Sequence, residues 1–184
     1  MSNLEEKQIS REDIFKGQVL HLVKDTVLLP NGDSAMREMC LHVGAVAVLP
    51  LLDDGRVIME RQFRYAHGRV FLEIPAGKLD SKDEPPELAV RRELREETGA
   101  VAEKYTFLGE LDTTPALMDE KISLYLAEQI SFGERELDDD EFLDVETIPL
   151  CDLYSMVMSG EIKDAKTQIA VLKVCALRPD FLKK

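Results

Sequence analysis

The sequence predicts a mixed α/β domain built in layers. Three observations predict it: several apolar runs of strand length separated by turn residues, one helical segment at mid-chain, and two apolar helical segments near the end. At 184 residues the chain is long enough to bury a substantial core.

Residues 1–16 are polar and are expected to be partly mobile. Gly17 to Leu29, with Val19, Leu20, Leu22, Val23 and Val27, reads as a strand, and Pro30-Asn31-Gly32-Asp33 is a hairpin signal that pairs it with Ala35 to His42. The apolar run from Gly44 through Leu52 suits a buried strand. After the Asp53-Asp54-Gly55 turn, Arg56 to Tyr65 reads as its hairpin partner. Val70 to Ile74 is a short strand ending at Pro75. A turn at Gly77 leads to a helix that starts near Pro86, where proline suits a first turn, and stops at Gly99, a natural C-cap. Tyr105 to Leu111 and Ile122 to Glu128 are further strands. Residues 131–147 form an acidic loop and a last strand, and helices near Leu150–Ser159 and Ala165–Leu177 close the chain.

The net charge of −13 argues against a protein that grips nucleic acid through its phosphates, since that needs clustered Lys and Arg. Cys40, Cys151 and Cys175 are odd in number and outside any C-x-x-C pattern, as expected of reduced thiols in a cytoplasmic protein. The charged N-terminus is not a signal peptide, and no apolar run has the length of a membrane span. His21, His42 and His67 are dispersed without metal-ligand spacing, and there is no G-x-x-x-x-G-K-[ST] phosphate loop.

The chemistry sits in Gly77 to Ala100, GKLDSKDEPPELAVRRELREETGA. At about 3.6 residues per helical turn, Glu93, Glu96 and Glu97 share one face. Like charges so spaced repel, so a cation is expected among them. Oxygen ligands alone suit a hard divalent ion, Mg²⁺ with Mn²⁺ as a substitute, which shares phosphate oxygens with a substrate. A solvated helix salt-bridged from Arg92 to Glu96 is the competing reading.

This stretch resembles the box of the Nudix hydrolases, in particular their ADP-ribose pyrophosphatase branch. The family pattern runs Gly, five residues, Glu, seven residues, Arg-Glu, apolar, any, Glu-Glu, any, Gly, apolar. Glu84, Arg92, Glu93, Leu94, Glu96, Glu97, Gly99 and Ala100 fit it in register, but six residues separate Gly77 from Glu84. The resemblance implies a Nudix fold, a mixed sheet sandwiched between helices, over 44–184. It also implies that 1–43 is an N-terminal β segment that packs across the partner in a homodimer. The reaction implied is metal-dependent hydrolysis of the pyrophosphate of a small nucleotide sugar, ADP-ribose above others, to AMP and ribose 5-phosphate.

By the same resemblance the Ala76 carbonyl joins Glu93, Glu96 and Glu97 on the metal, and Arg92 orients the carboxylates. Placing Phe142 against the apolar residue after the family's acidic loop puts Asp138 at the position of the general base, with Glu96 the alternative, and Asp140 at an additional metal position. Arg37 and Arg64 match arginines that hold the diphosphate or terminal ribose. Pro115, 16 positions beyond Gly99, matches a mark of ADP-ribose hydrolysis, although the chain reads Thr114-Pro115-Ala116 where Ser-Pro-Gly is common. Glu120 matches an acidic position near the ribose. Hydrolysis of another nucleoside diphosphate sugar such as GDP-mannose is the rival within the enzymes. A silent nucleotide-binding domain is the rival outside them, disfavoured by the intact glutamate set.

Overall fold

The computed structural model describes residues 3–137 and 141–182. Its contacts divide the chain into two compact units, Met1–Val43 with Asp112–Lys121, and Gly44–Leu111 with Ile122–Lys184.

The first unit is an antiparallel sheet of β1 (Lys7–Lys16), β2 (His21–Leu28) and β3 (Ser34–Leu41), in that order. The β2–β3 hairpin forms at the predicted turn, with Leu28 opposite Ser34 and Gly32 at φ 90°. β1 corrects the expectation of a mobile N-terminus. Its side chains are exposed, so it lacks the apolar alternation that announces a strand, and cross-strand pairs hold it instead. Arg11 grips the buried Asp25 at 2.7 and 2.8 Å, and Lys24 pairs with Glu12.

The second unit contains a four-stranded mixed sheet in the order β7 (Ala76–Lys78), β4 (Ala45–Pro50), β9 (Lys121–Phe132) and β8 (Ala100–Asp112), with β4 parallel to β9. A three-stranded antiparallel sheet orders β10 (Leu143–Pro149), β5 (Arg56–Arg64) and β6 (Arg69–Glu73). The helices are α1 (Pro86–Thr98), α2 (Leu150–Met158) and α3 (Ala165–Leu177).

The expected β4–β5 hairpin does not form. The chain does turn at Asp53-Asp54-Gly55, where the Leu52 amide donates to the Arg56 carbonyl at 2.8 Å beside an isolated Leu51–Val57 bridge, but beyond that each strand is a member of a different sheet. β4 is apolar on both faces, which suits a central strand beside a parallel neighbour rather than one arm of a hairpin. Its alternate residues serve two cores. Val46 and Val48 join Ile58, Val90 and Leu94 on the α1 side, while Ala47 and Leu49 join Met59, Leu153 and Val171 on the α2–α3 side. Helices thus cover both faces, as the predicted sandwich requires.

α1 starts at Pro86 behind Pro85 and ends where Gly99, at φ 70°, donates its amide to the Arg95 carbonyl at 2.8 Å. A Cβ at position 99 would also lie 2.9 Å from the Gly133 carbonyl oxygen. Gly99→Ala is therefore expected to cost about 1–3 kcal/mol, lowering Tm by roughly 2–4 °C per kcal/mol for a chain of this size. Thermal denaturation followed by circular dichroism checks this, and an unchanged Tm would refute it.

Candidate active site

The inward stripe of α1 changes character along its length. Ala89, Val90 and Leu94 enter the apolar core, while Glu93 and Glu97, one and two turns beyond Ala89, are equally buried. Burying Val90 and Leu94 contributes roughly 1.5–3 kcal/mol each. An uncompensated buried carboxylate costs several kcal/mol. The helix therefore holds its acidic end inward at the expense of its apolar end, and a compensating partner is called for.

Protein donors meet part of that need. The Ala76 amide donates to Glu97 Oε2 at 3.0 Å, so the structure ties the Ala76 backbone to the carboxylates through its N–H. The Glu93 carboxylate lies directly over Gly77, where a Cβ would sit 2.0 Å from its Cδ. This close approach is the reason for glycine at that position. Arg92 is the hub of the remaining contacts. It donates to Glu93 at 2.8 Å, to Glu96 at 3.2 Å and to the Lys78 carbonyl at 3.3 Å, and it reaches both oxygens of Glu84 at 3.5 Å. The extra residue before Glu84 is taken up locally, because the Asp80 amide closes onto Glu84 Oε2 at 2.6 Å and leaves Glu84 facing Arg92.

The acidic loop is fastened to the end of this helix. The Gly133 and Glu136 amides donate to the Gly99 and Glu96 carbonyls at 2.7 and 3.2 Å, satisfying groups that a helix terminus leaves open, and Arg95 reaches Glu136 at 3.1 Å. Beyond it Glu141 comes near enough to add its charge to Glu93 and Glu97.

Burial and mutual repulsion govern the protonation of this group. Burial, with Glu60, Glu93 and Glu141 nearby, pushes the Glu97 carboxyl up to about 10 against the opposing Ala76 hydrogen bond. Burial raises Glu60 to about 8, a rise opposed by the charge of Arg135 and assisted by that of Glu73. Burial raises Glu93 to about 7 despite Arg92. Glu60 Oε1 is buried without a hydrogen-bond partner. Glu60, Glu93, Glu97 and Glu141 thus gather oxygen donors with too few cations to keep them all ionised, and the set fits a hard divalent ion that would displace the retained protons. Among the described residues no three acidic, imidazole or thiol groups are already drawn to one point. Glu93 and Glu96 are turned onto Arg92 instead, and an ion would compete with it for them.

A second network stands beside the first. Arg64 donates through Nε and Nη2 to the two oxygens of Glu73, both at 2.8 Å, and the buried Lys166 ammonium donates to the same carboxylate. Burial alone would raise the Glu73 carboxyl, but the Arg64 and Lys166 hydrogen bonds outweigh it and hold it below its ordinary value. Asp164 caps α3 by accepting the Thr167 amide at 2.9 Å and pairs with Lys166 at 3.1 Å; the Thr167 hydroxyl accepts the Ile74 amide at 3.0 Å. The start of α3 thereby clamps the end of β6, immediately before Pro75, Ala76 and Gly77.

Of the sequence-predicted residues, Ala76, Glu93, Glu96, Glu97 and Arg64 lie in this second unit. Asp138 and Asp140 lie outside the described residues. Arg37, Pro115 and Glu120 belong to the first unit. There Arg37 is held by Glu6, Pro115 sits in an exposed turn closed by the Leu117 amide on the Thr114 carbonyl, and Glu120 accepts from Thr113 at 2.6 Å and faces His42 at 3.6 Å. Sequence reasoning assigns no role to Glu60, Glu73 and Lys166, and it includes Glu141 in the candidate acidic stretch without singling it out. An acid directly after Val57-Ile58-Met59, and a lysine entering an apolar helix, were the available signals for Glu60 and Lys166.

The chain is similar to known proteins over most of its length. Residues 41–169 match the NUDIX domain family. The chain is 47% identical over 173 residues to an ADP-ribose pyrophosphatase of Bacillus subtilis (strain 168), covering 93% of each chain. It is 41% identical to a methanol dehydrogenase activator of Bacillus methanolicus, covering 91% of each. Its fold matches a crystal structure of an ADP compounds hydrolase with TM-score 0.84 over 98% of both chains, at 22% identity. No helix among the described residues is long and apolar enough to cross a membrane.

Proposed function

The chain belongs to the Nudix family, and from that premise we propose that it hydrolyses the pyrophosphate bond of ADP-ribose and related ADP-sugars, giving AMP and ribose 5-phosphate. The observation that carries this reading is the buried set Glu60, Glu93 and Glu97, with the half-buried Glu141 near it, whose mutual repulsion asks for a divalent cation beside an arginine suited to phosphate. The ion assigned is Mg²⁺, with Mn²⁺ as a substitute; when bound it neutralises charge on the non-bridging oxygens of the diphosphate.

The chain's own residues supply the rest. Glu93, Glu96 and Glu97, with Ala76 and the loop carboxylates Asp140 and Glu141, form the cage. Arg92 and Gly77 set where Glu93 points. Arg64 is fixed along one edge of its guanidinium by Glu73, while its side chain stays 41% exposed, leaving its other N–H groups for phosphate oxygens. Glu96 or Asp138 takes the proton of the attacking water. Arg37 reaches the site across a homodimer, and Pro115 and Glu120 shape the sugar end of the pocket.

A panel of ADP-ribose, other ADP-sugars and GDP-mannose tests the substrate, with AMP and ribose 5-phosphate identified as products. A clear preference for GDP-mannose would reject ADP-ribose. Arg64→Lys, which keeps the charge and loses the fork, is expected to raise KM by about tenfold or more, with a smaller change in kcat. Unchanged steady-state kinetics would remove Arg64 from the substrate.

A further inference from the structure

Away from the acidic cluster, a cleft of about 190 Å³ opens between the edge strand β6 and the connection from α2 to α3. Arg61, Arg69 and Lys163 line it together with Phe71, Met156 and a single acid, Glu161. Three cations against one carboxylate is unusual in a chain of net charge −13.

The state of those cations is more telling than their number. Among the described residues every arginine except Arg69 has a hydrogen-bond or ion-pair partner: Arg11 donates to Asp25, Arg37 to Glu6, Arg56 to Asp54 and Arg64 to Glu73, Arg61 is ion-paired with Glu146, and Arg91, Arg92, Arg95, Arg135 and Arg178 donate to groups of their own. Arg69 has neither hydrogen bond nor ion pair. Its guanidinium carbon lies 4.6 Å from the centroid of Phe71, a contact that positions the charge without neutralising it. Lys163 likewise has no acidic partner. With so much carboxylate available, two uncompensated cations converging on one concavity mark a place arranged for an outside anion.

We propose that this cleft is an anion site, distinct from the acidic cluster, that takes a small phosphomonoester of about the size of a pentose phosphate. Such a group carries a charge of about −1.5 to −2 near neutral pH, which matches the lining. An arginine fork with a neighbouring ammonium suits its terminal oxygens. Phe71 and Met156 offer an apolar wall to the carbon face of a sugar. The volume lies below the roughly 300–1,000 Å³ of pockets that enclose drug-sized ligands, so a whole dinucleotide does not fit. Inorganic phosphate shares the headgroup chemistry and is the alternative source of the ligand.

The test is calorimetric titration of the full chain in the presence of a chelator, with ribose 5-phosphate, inorganic phosphate and uncharged ribose as probes. Ribose 5-phosphate is expected to bind and ribose not to bind. Inorganic phosphate binding as tightly as ribose 5-phosphate supports the anion site and assigns it to the phosphate alone. Arg69→Gln is expected to weaken ribose 5-phosphate by about tenfold or more, and adding Lys163→Gln to abolish binding. Glu161→Gln, which removes the one opposing charge, is expected to tighten it severalfold and provides a second handle if the arginine variant misfolds. Failure of both phosphate probes at tens of millimolar, or affinities unmoved by all of these substitutions, would overturn the proposal. Because no metal or turnover is involved, neither result bears on the hydrolase reading.

Discussion

Glu97→Gln is expected to lower kcat by roughly 10²–10³-fold, the scale set by removing one preorganised charge-stabilising group, while the protein stays folded. Glutamine preserves the shape and can still accept the Ala76 amide, so the local packing survives. What changes is the ability to ionise, which Glu60, Glu93 and Glu141 oppose and a bound cation would favour. The metal-free variant should therefore be as stable as the parent or more so. The sign follows from protonation. The folded Glu97 carboxyl is raised from 4.5 to about 10, so the folded state holds a proton that the unfolded chain has released. The contribution of Glu97 to the stability of the metal-free parent is thus present in full below 4.5 and is lost as pH rises from 4.5 to about 10, and over that window the variant should show a shallower loss. A divalent ion at about 100 times its Kd would stabilise the parent by about 2.7 kcal/mol, or roughly 5–10 °C in Tm for a chain of this size. Most of that shift should vanish in Glu97→Gln. Parental turnover together with a full metal-induced shift would sink the assignment.

Gly77→Ala comes second in expected size. A methyl group 2.0 Å from Glu93 Cδ cannot be accommodated, so either the carboxylate or the β7 backbone must move. Displacing a catalytic group by about 1 Å can cost about 10²-fold, and a loss of that order in kcat/KM is expected, with a reduced metal-induced rise in Tm. The cause can be isolated by adding Glu93→Asp, whose shorter side chain withdraws the carboxylate from the new methyl. Partial recovery in the double variant, measured as a non-additive cycle, would identify the clash as the source. A fully active Gly77→Ala enzyme would show that the Glu93 carboxylate does not rest on residue 77 during turnover.

The parts of this molecule that could be read in advance are those specified by neighbours in sequence. Pro86 and Gly99 bracket α1, Asn31-Gly32 sets the β2–β3 turn, and α3 spans Ala165–Leu177 as its apolar content indicates. The parts that could not be read depend on distant partners. Nothing within the Gly44–Leu52 run states that its neighbours are β7 and β9 rather than β5, because an apolar run fits either arrangement. β1 was missed because ion pairs, not alternation, hold it. At the site, the helix carboxylates and Arg92 stood out through their spacing, whereas Glu60 became visible only when β5 carried it to the far side of the same cluster. In the loop, the consecutive acids from Asp138 to Glu141 offer no period by which sequence could choose among them. Placing Phe142 chooses Asp138 and Asp140, which lie outside the described residues; of this run the described residues include Glu141, whose charge reaches Glu93 and Glu97.

Glu96 turns its carboxylate to Arg92 and lends its carbonyl to the amide of Glu136, so the near end of the acidic loop is stitched to the box helix at a fixed residue. Chain length is consequently constrained on one side of Glu136 only. Residues spliced in after it would leave the helix cap whole and change only how far the following carboxylates can travel. The same insertion between Gly133 and Glu136 would throw the two stitches out of phase. Natural or designed variation in loop length belongs downstream of that seam, which makes this stretch the place to retune the reach of the acidic arm without rebuilding the helix that receives it.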